Sequence, residues 1–180
     1  EDELRYLFDN ADLVALVHAR EFAPRVRNVL DVMPDLRHAI VIEDGSGADL
    51  TGLDTLPYEE ALAEGSPERD FAPRSGDDRY ILYTGGTTGM PKGVVWRHED
   101  VFYALGGGVD LQDGSRVRAP ADMTEKGNRP ALTRFLPVAP LMHGSTQWSV
   151  MGGSFVGRTT VLMARFEPHE VWRLVEAEKI

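Results

Sequence analysis

"YTGGTTGMPKGVVW", residues 83–96, sets four glycines, three threonines, a proline and one lysine after the apolar "ILY" and ahead of the apolar "VVW". Glycines let a backbone approach a ligand closely and turn successive N–H groups toward it, and a concave set of amides binds anions. Thr84, Thr87 and Thr88 add hydroxyl donors, Lys92 adds a positive charge, and Pro91 stiffens the chain before it. By composition this is a cradle for a polyphosphate. It is not the G-x-x-x-x-G-K-[ST] loop, because Lys92 follows Pro91 and precedes Gly93. Nor is it G-x-G-x-x-G opening a helix, because the β-branched "VVW" follows. The stretch therefore predicts strand–loop–strand over 80–96. A long glycine-rich hairpin with no ligand is the alternative that composition by itself leaves open.

The chain around it has 180 residues, enough to bury one core, so a single domain is expected. Hydrophobic content of 42% and charged content of 27% are ordinary for a globular protein. A formal net charge of −10 argues against a nucleic-acid or anionic-membrane partner, which would want a basic face. With no cysteine, disulfides, thiolate catalysis and Cys-based zinc sites are excluded. No apolar run of ~18 residues and no signal-peptide pattern occurs, so the expected location is cytoplasmic.

Upstream of the loop, strands and helices alternate. "LVALV" (13–17) has strand length. Phe22, Val26, Val29, Leu30 and Met33 then mark one face of a helix, with Pro24 in its first turn and Pro34 at its end. "AIVI" (39–42) is the next strand, so a βαβ unit with parallel strands is expected. A turn-rich loop, "DGSGADLTG", leads to a short helix "YEEALAEG" and a solvated connection "SPERDFAPRSGDD". Downstream, a helix begins near His98, "STQWSVMGG" reads as a helix, "TTVLM" (159–163) as a strand, and a last helix starts near Pro168. Residues 106–130 show no periodicity and are expected to form a mobile surface loop. His98, Glu99 and Asp100 resemble an acid–base cluster, but acidic residues are ordinary in a helix's first turn. Asp77 and Asp78 read as a solvated turn.

The order of residues in 83–93 closely resembles the signature loop of the adenylate-forming superfamily: acyl-CoA synthetases, luciferases and peptide-synthetase adenylation domains. Its usual form is Y-T-[ST]-G-T-T-G-x-P-K-G, and only Gly85 departs, where a hydroxyl residue is more usual. "LPVAPLMHGSTQW" (136–148) resembles a second family segment, proline-rich and ending in His and a small residue. The resemblance implies an α/β fold: βαβ units with a partly parallel sheet flanked by helices, residues 1–180 forming part of the large N-terminal domain. It implies that a carboxylic acid, fatty or steroid, attacks ATP to give an acyl-adenylate, which coenzyme A then takes up. Lys92 and Thr88 would be catalytic. Thr84, Gly85, Gly86, Thr87, Thr88, Gly89, Lys92 and Gly144 would bind nucleotide, with Thr84 nearest a Mg²⁺ ion. His143 would line the acyl pocket. Trp148 either matches an aromatic gate, one residue out of register, or is a core tryptophan.

The family's Y-G-x-T-E segment, ribose-binding aspartate, hinge and C-terminal lysine are not found in this sequence. The expectation is therefore a fragment of a ligase, inactive by itself, that either self-associates through its cut faces or is only marginally stable. Those faces are Leu4, Leu7 and Phe8 on the first helix and Val171, Leu174 and Val175 on the last. The alternative is a stand-alone nucleotide-binding or regulatory module.

Overall fold

A computed structural model describes residues 1–85, 89–109, 114–128 and 134–180. Gly86, Thr87 and Thr88 lie outside the described residues. The chain divides into two compact units, Glu1–Pro73 with Tyr83–Lys92, and Arg74–Leu82 with Gly93–Ile180.

In the first unit, helix α1 (Asp2–Asn10) leads to strand β1 (Ala15–Ala19), helix α2 (Ala23–Arg27) and strand β2 (His38–Ile42). Strands β1 and β2 are parallel, in register from Ala15 opposite His38 to Ala19 opposite Ile42. A short third strand, β3 (Leu56–Pro57), joins β2 in parallel and runs straight into helix α3 (Tyr58–Glu64), capped at Gly65. The expected βαβ unit is present, but its helix is shorter than the periodicity predicts. Instead of one helix across 22–33, five residues of α2 are flanked by 3₁₀ turns at Arg20–Phe22 and Leu30–Val32. The run "VRNVLDV" interleaves β-branched valines with Asn28 and Asp31, all modest helix formers. The apolar stripe survives the break: Val26, Val29 and Met33 are the buried centre, with Leu4, Phe8, Leu13 and Leu16 packed on it. Leu4 and Phe8 of the apolar face of α1 thus pack within their own unit. Asp44 and Asp49 shape the following loop by accepting hydrogen bonds from the backbone N–H groups of Ser46 and Thr51 at 2.9 and 3.0 Å.

Strands β4 (Arg79–Thr84) and β5 (Lys92–Arg97) pair as a two-stranded sheet. This is the strand–loop–strand order expected from "GVVW". Their bodies belong to the second unit, and the ends that flank the loop belong to the first. Helix α4 (His98–Ala104) follows β5 directly. Its first N–H groups are taken by the preceding turn: His98 donates to the Asp78 carbonyl at 2.8 Å and Glu99 to that of Gly76 at 3.1 Å. Arg97 bridges Asp77, Glu99 and Asp100, so the acidic residues around His98 serve the helix start.

The stretch 106–130, expected to lack regular structure, contains helix α5 (Pro120–Gly127). Its start signals are local: proline in the first turn, Asp122 accepting the Arg118 N–H at 2.8 Å, and Met123 buried. Two-residue strands β6 (Arg134–Phe135) and β7 (Thr159–Thr160) pair in parallel on either side of helix α6 (Gly144–Phe155) in the chain. The expected five-residue strand "TTVLM" is thus only its first two residues. Helix α7 (Pro168–Glu178) half-buries Val171, Leu174 and Val175 and leaves Trp172 exposed.

Candidate functional site

The loop between β4 and β5 is held at its base. The Thr84 hydroxyl, at the end of β4, donates to the Lys92 carbonyl at 3.4 Å, a long bond that closes the loop. Pro91 is buried, whereas Thr84, Gly85, Gly89 and Lys92 are exposed. No described residue lies within 4 Å of the position a Cβ would take on Gly85 or Gly89, so the backbone there is open to a ligand. The Lys92 ammonium forms no ion pair among the described residues. An unpaired lysine beside open glycine backbone is what a polyphosphate cradle requires. On the other flank, the Tyr83 hydroxyl donates to Asn10 Oδ1 at 2.7 Å. Burial first, then Tyr6 and Asp12, push the Tyr83 phenol above its ordinary range, which keeps it a proton donor. Among the described residues no group of three or more His, Asp or Glu could hold a metal ion.

His143 and Gly144 are placed by packing within the second unit. His143 is the N-cap of α6, in extended conformation, and its carbonyl accepts from the Thr146 and Gln147 N–H groups at 3.1 Å. Its imidazole is exposed and makes no capping bond, so it is available to a ligand. Thr146, 2% exposed, donates its hydroxyl to the Ala139 carbonyl at 2.9 Å and binds the "PVAP" run to the helix. A Cβ on Gly144 would sit 2.7 Å from Leu82 Cδ2 and 2.9 Å from Trp148 Cζ2. Trp148 lies edge-on to Trp96, with ring centroids 6.3 Å apart. Beside it, the Tyr80 hydroxyl donates to Gln147 Oε1, and burial pushes that phenol above its ordinary range. Trp148 therefore has the packed surroundings of a core residue; the structure assigns it no second role. The sequence-predicted residues fall in both units: Thr84, Gly85, Gly89 and Lys92 in the first, His143, Gly144 and Trp148 in the second.

Sequence reasoning missed a cavity of about 430 Å³ in the second unit, lined by Phe102, Tyr103, Val117, Met123, Thr124 and Phe155 among others. Its wall is an aromatic cluster, with Phe102 edge-on to both Tyr103 and Phe155 at centroid distances of 5.1 and 5.4 Å. Gly106–Gly108 wraps the Phe102 ring so tightly that a Cβ on Gly108 would lie 2.7 Å from it. The triple glycine after an aromatic pair was the available signal.

Comparison with known proteins bears on the whole chain. A family described as AMP-binding enzyme matches residues 1–180. A 3-oxocholest-4-en-26-oate–CoA ligase of Rhodococcus rhodochrous is 46% identical over 181 residues, covering 100% of this chain and 32% of the relative. A medium/long-chain-fatty-acid–CoA/3-oxocholest-4-en-26-oate–CoA ligase of Mycobacterium tuberculosis is 48% identical, covering 100% of this chain and 33% of its own length. The chain thus spans about a third of the length of the curated relatives it matches. Among solved structures, the N-terminal domain of FACL13 from Mycobacterium tuberculosis aligns with TM-score 0.63 and 24% identity, over 99% of this chain and 39% of that one. A red-emitting luciferase from Phrixothrix hirtus aligns with TM-score 0.64 and 20% identity, over 99% of this chain and 32% of that one. These two show the shared α/β fold, with its partly parallel strands and flanking helices. On the match across its whole length, the chain belongs to the AMP-binding enzyme family.

Proposed function

We propose that this chain carries the triphosphate loop and part of the acyl pocket of an ATP-dependent acyl-CoA ligase acting on a fatty or steroid carboxylic acid. The observation that carries this reading is the 46–48% identity, across all of this chain, to ligases named for such acids. In the reaction, a carboxylate oxygen bonds to the α-phosphorus of ATP as the bond to pyrophosphate breaks. The thiol sulfur of coenzyme A then bonds to the acyl carbon, and AMP leaves.

The obstacle to the first step is the meeting of two anions. Lys92 opposes charge on the triphosphate and on departing pyrophosphate, and the amides of Gly85, Gly86 and Gly89 add fixed dipoles. Hydroxyls of Thr87 and Thr88 donate to phosphate oxygens, with Thr88 and Lys92 the pair that follows the transferring charge. Magnesium usually keeps several waters and binds through one or two protein groups plus substrate phosphates. A lone Thr84 hydroxyl beside a phosphate cradle fits that donor set, and Thr84 is the residue we assign to it. When bound, Mg²⁺ would screen phosphate charge and act as a Lewis acid. In the second unit, the Gly144 backbone faces nucleotide, His143 lines the acyl pocket, and the aromatic cavity suits a hydrocarbon.

The test is ATP–pyrophosphate exchange in a protein of the relatives' length that contains this chain. Exchange should depend on added fatty acid or 3-oxocholest-4-en-26-oate. The 180-residue chain by itself should form no acyl-adenylate. ATP binding with no response to any carboxylic acid would support a nucleotide-binding module instead.

A further inference from the structure

We propose that Asn10 is a positioning residue for the phosphate loop, acting through the Tyr83 hydroxyl. The proposal rests on the reading of residues 83–92 as a nucleotide loop. Tyr83 is the penultimate residue of β4, from whose end that loop departs, and Asn10 stands 73 positions earlier, at the end of α1 and outside any motif. Among the described residues, the 2.7 Å bond from Tyr83 to Asn10 Oδ1 is the side-chain hydrogen bond tying 83–92 to the rest of its unit.

Asn10 is itself held in place. Arg5, one face of α1 away, donates to both carboxylate oxygens of Asp31 at 2.7 Å and to the Asn28 carbonyl. Leu4 and Phe8 pack on the buried Val26, Val29 and Met33. At the helix end, the Ala11 N–H bonds the Leu7 carbonyl at 3.0 Å, and Asp12 turns the chain away with φ 48°. The amide of Asn10 is therefore presented from a helix anchored by an ion pair and by the core. With the buried Pro91 at the other flank, both ends of the loop are pinned while Gly85 and Gly89 stay open among the described residues. Such an arrangement lowers the ordering cost a ligand meets, which is how preorganisation raises affinity.

Amide hydrogen exchange of the segment 83–93 in the full chain tests this without any nucleotide. Asn10→Ala and Tyr83→Phe should each speed exchange there by about fivefold, the effect of losing one hydrogen bond of ordinary net strength. The double variant should add nothing further, and Asn10→Asp, which keeps an acceptor, should match the parent. Tyr83→Phe leaves the sequence of α1 untouched, so it decides the matter even if Asn10→Ala loosens the helix. Unchanged exchange in Tyr83→Phe, or Asn10→Asp behaving like Asn10→Ala, overturns the proposal. ATP titration of the same variants supplies the second arm, with a matching loss of affinity expected. Faster exchange with undiminished ATP affinity overturns the link from Asn10 to nucleotide. ATP binding that Lys92→Ala leaves unchanged instead defeats the nucleotide-loop reading and leaves the exchange result standing.

Discussion

Glycine does different work in the two motif regions. Around Gly85 there is open space where a side chain would go, and neighbouring Lys92 stands exposed at the start of β5. At Gly144 the same space is filled by Leu82 and the Trp148 ring, within 3.0 Å. Gly85 and Gly89 leave their backbone uncovered by any described residue. The glycine of α6 lets protein approach protein. Function and stability should therefore separate between the two regions: substitutions in the loop alter ligand handling at little cost to folding, and those at the start of α6 alter folding first.

Lys92→Ala is the largest test of that separation. In a ligase of the relatives' length it should slow adenylation ~10²–10³-fold, by analogy with loss of one transition-state donor. Thioester formation from preformed adenylate should be affected less. Denaturant midpoints should stay within about 0.5 kcal/mol of the parent, as for an ordinary surface change. A large loss of stability would break the contrast. Gly144→Ala comes next. Its methyl must displace Leu82 or the indole, which should cost about 1–3 kcal/mol in urea unfolding. An unchanged midpoint would mean the packing around Trp148 is loose.

Thr146→Val should follow at about 0.5–1.5 kcal/mol, since the bond from the buried Thr146 hydroxyl to the Ala139 carbonyl is lost. The same measurement on an exposed neighbour, Ser149→Ala, controls for helix propensity. The smallest effect is expected at Gly85→Ser, which restores the residue type more usual in the signature. With open space around it and no left-handed φ, the change should move stability by less than about 0.5 kcal/mol. If Gly85→Ser instead destabilises the chain, the loop is packed more like α6 than the contrast allows.

Much of this architecture was legible beforehand, for reasons that are local. "GVVW" after Lys92 is β-branched and apolar, and it is a strand. "YEEALAE" closing on glycine is a helix, as is the segment from Pro168. The misreadings have local causes too. The apolar stripe 22–33 has helical spacing, yet its intervening residues are poor helix formers, and burial of the stripe is satisfied by a short helix between 3₁₀ turns. In 106–130 the glycine run masked the start signals of α5, because periodicity over so short a helix is weak.

The candidate site divides in the same way. The sequence by itself determined the phosphate-loop reading, because that chemistry is carried by backbone amides, hydroxyls and one charge at consecutive positions, and needs no distant partner to be recognised. Only the tertiary structure decided that Asn10 holds Tyr83, that Gly144 is demanded by Leu82 and Trp148, and that Phe102, Met123 and Phe155 line one pocket. Those are contacts between residues far apart in the chain, and what selects them is the filling of space and the pairing of buried donors with acceptors. Neither leaves a periodic trace along a sequence.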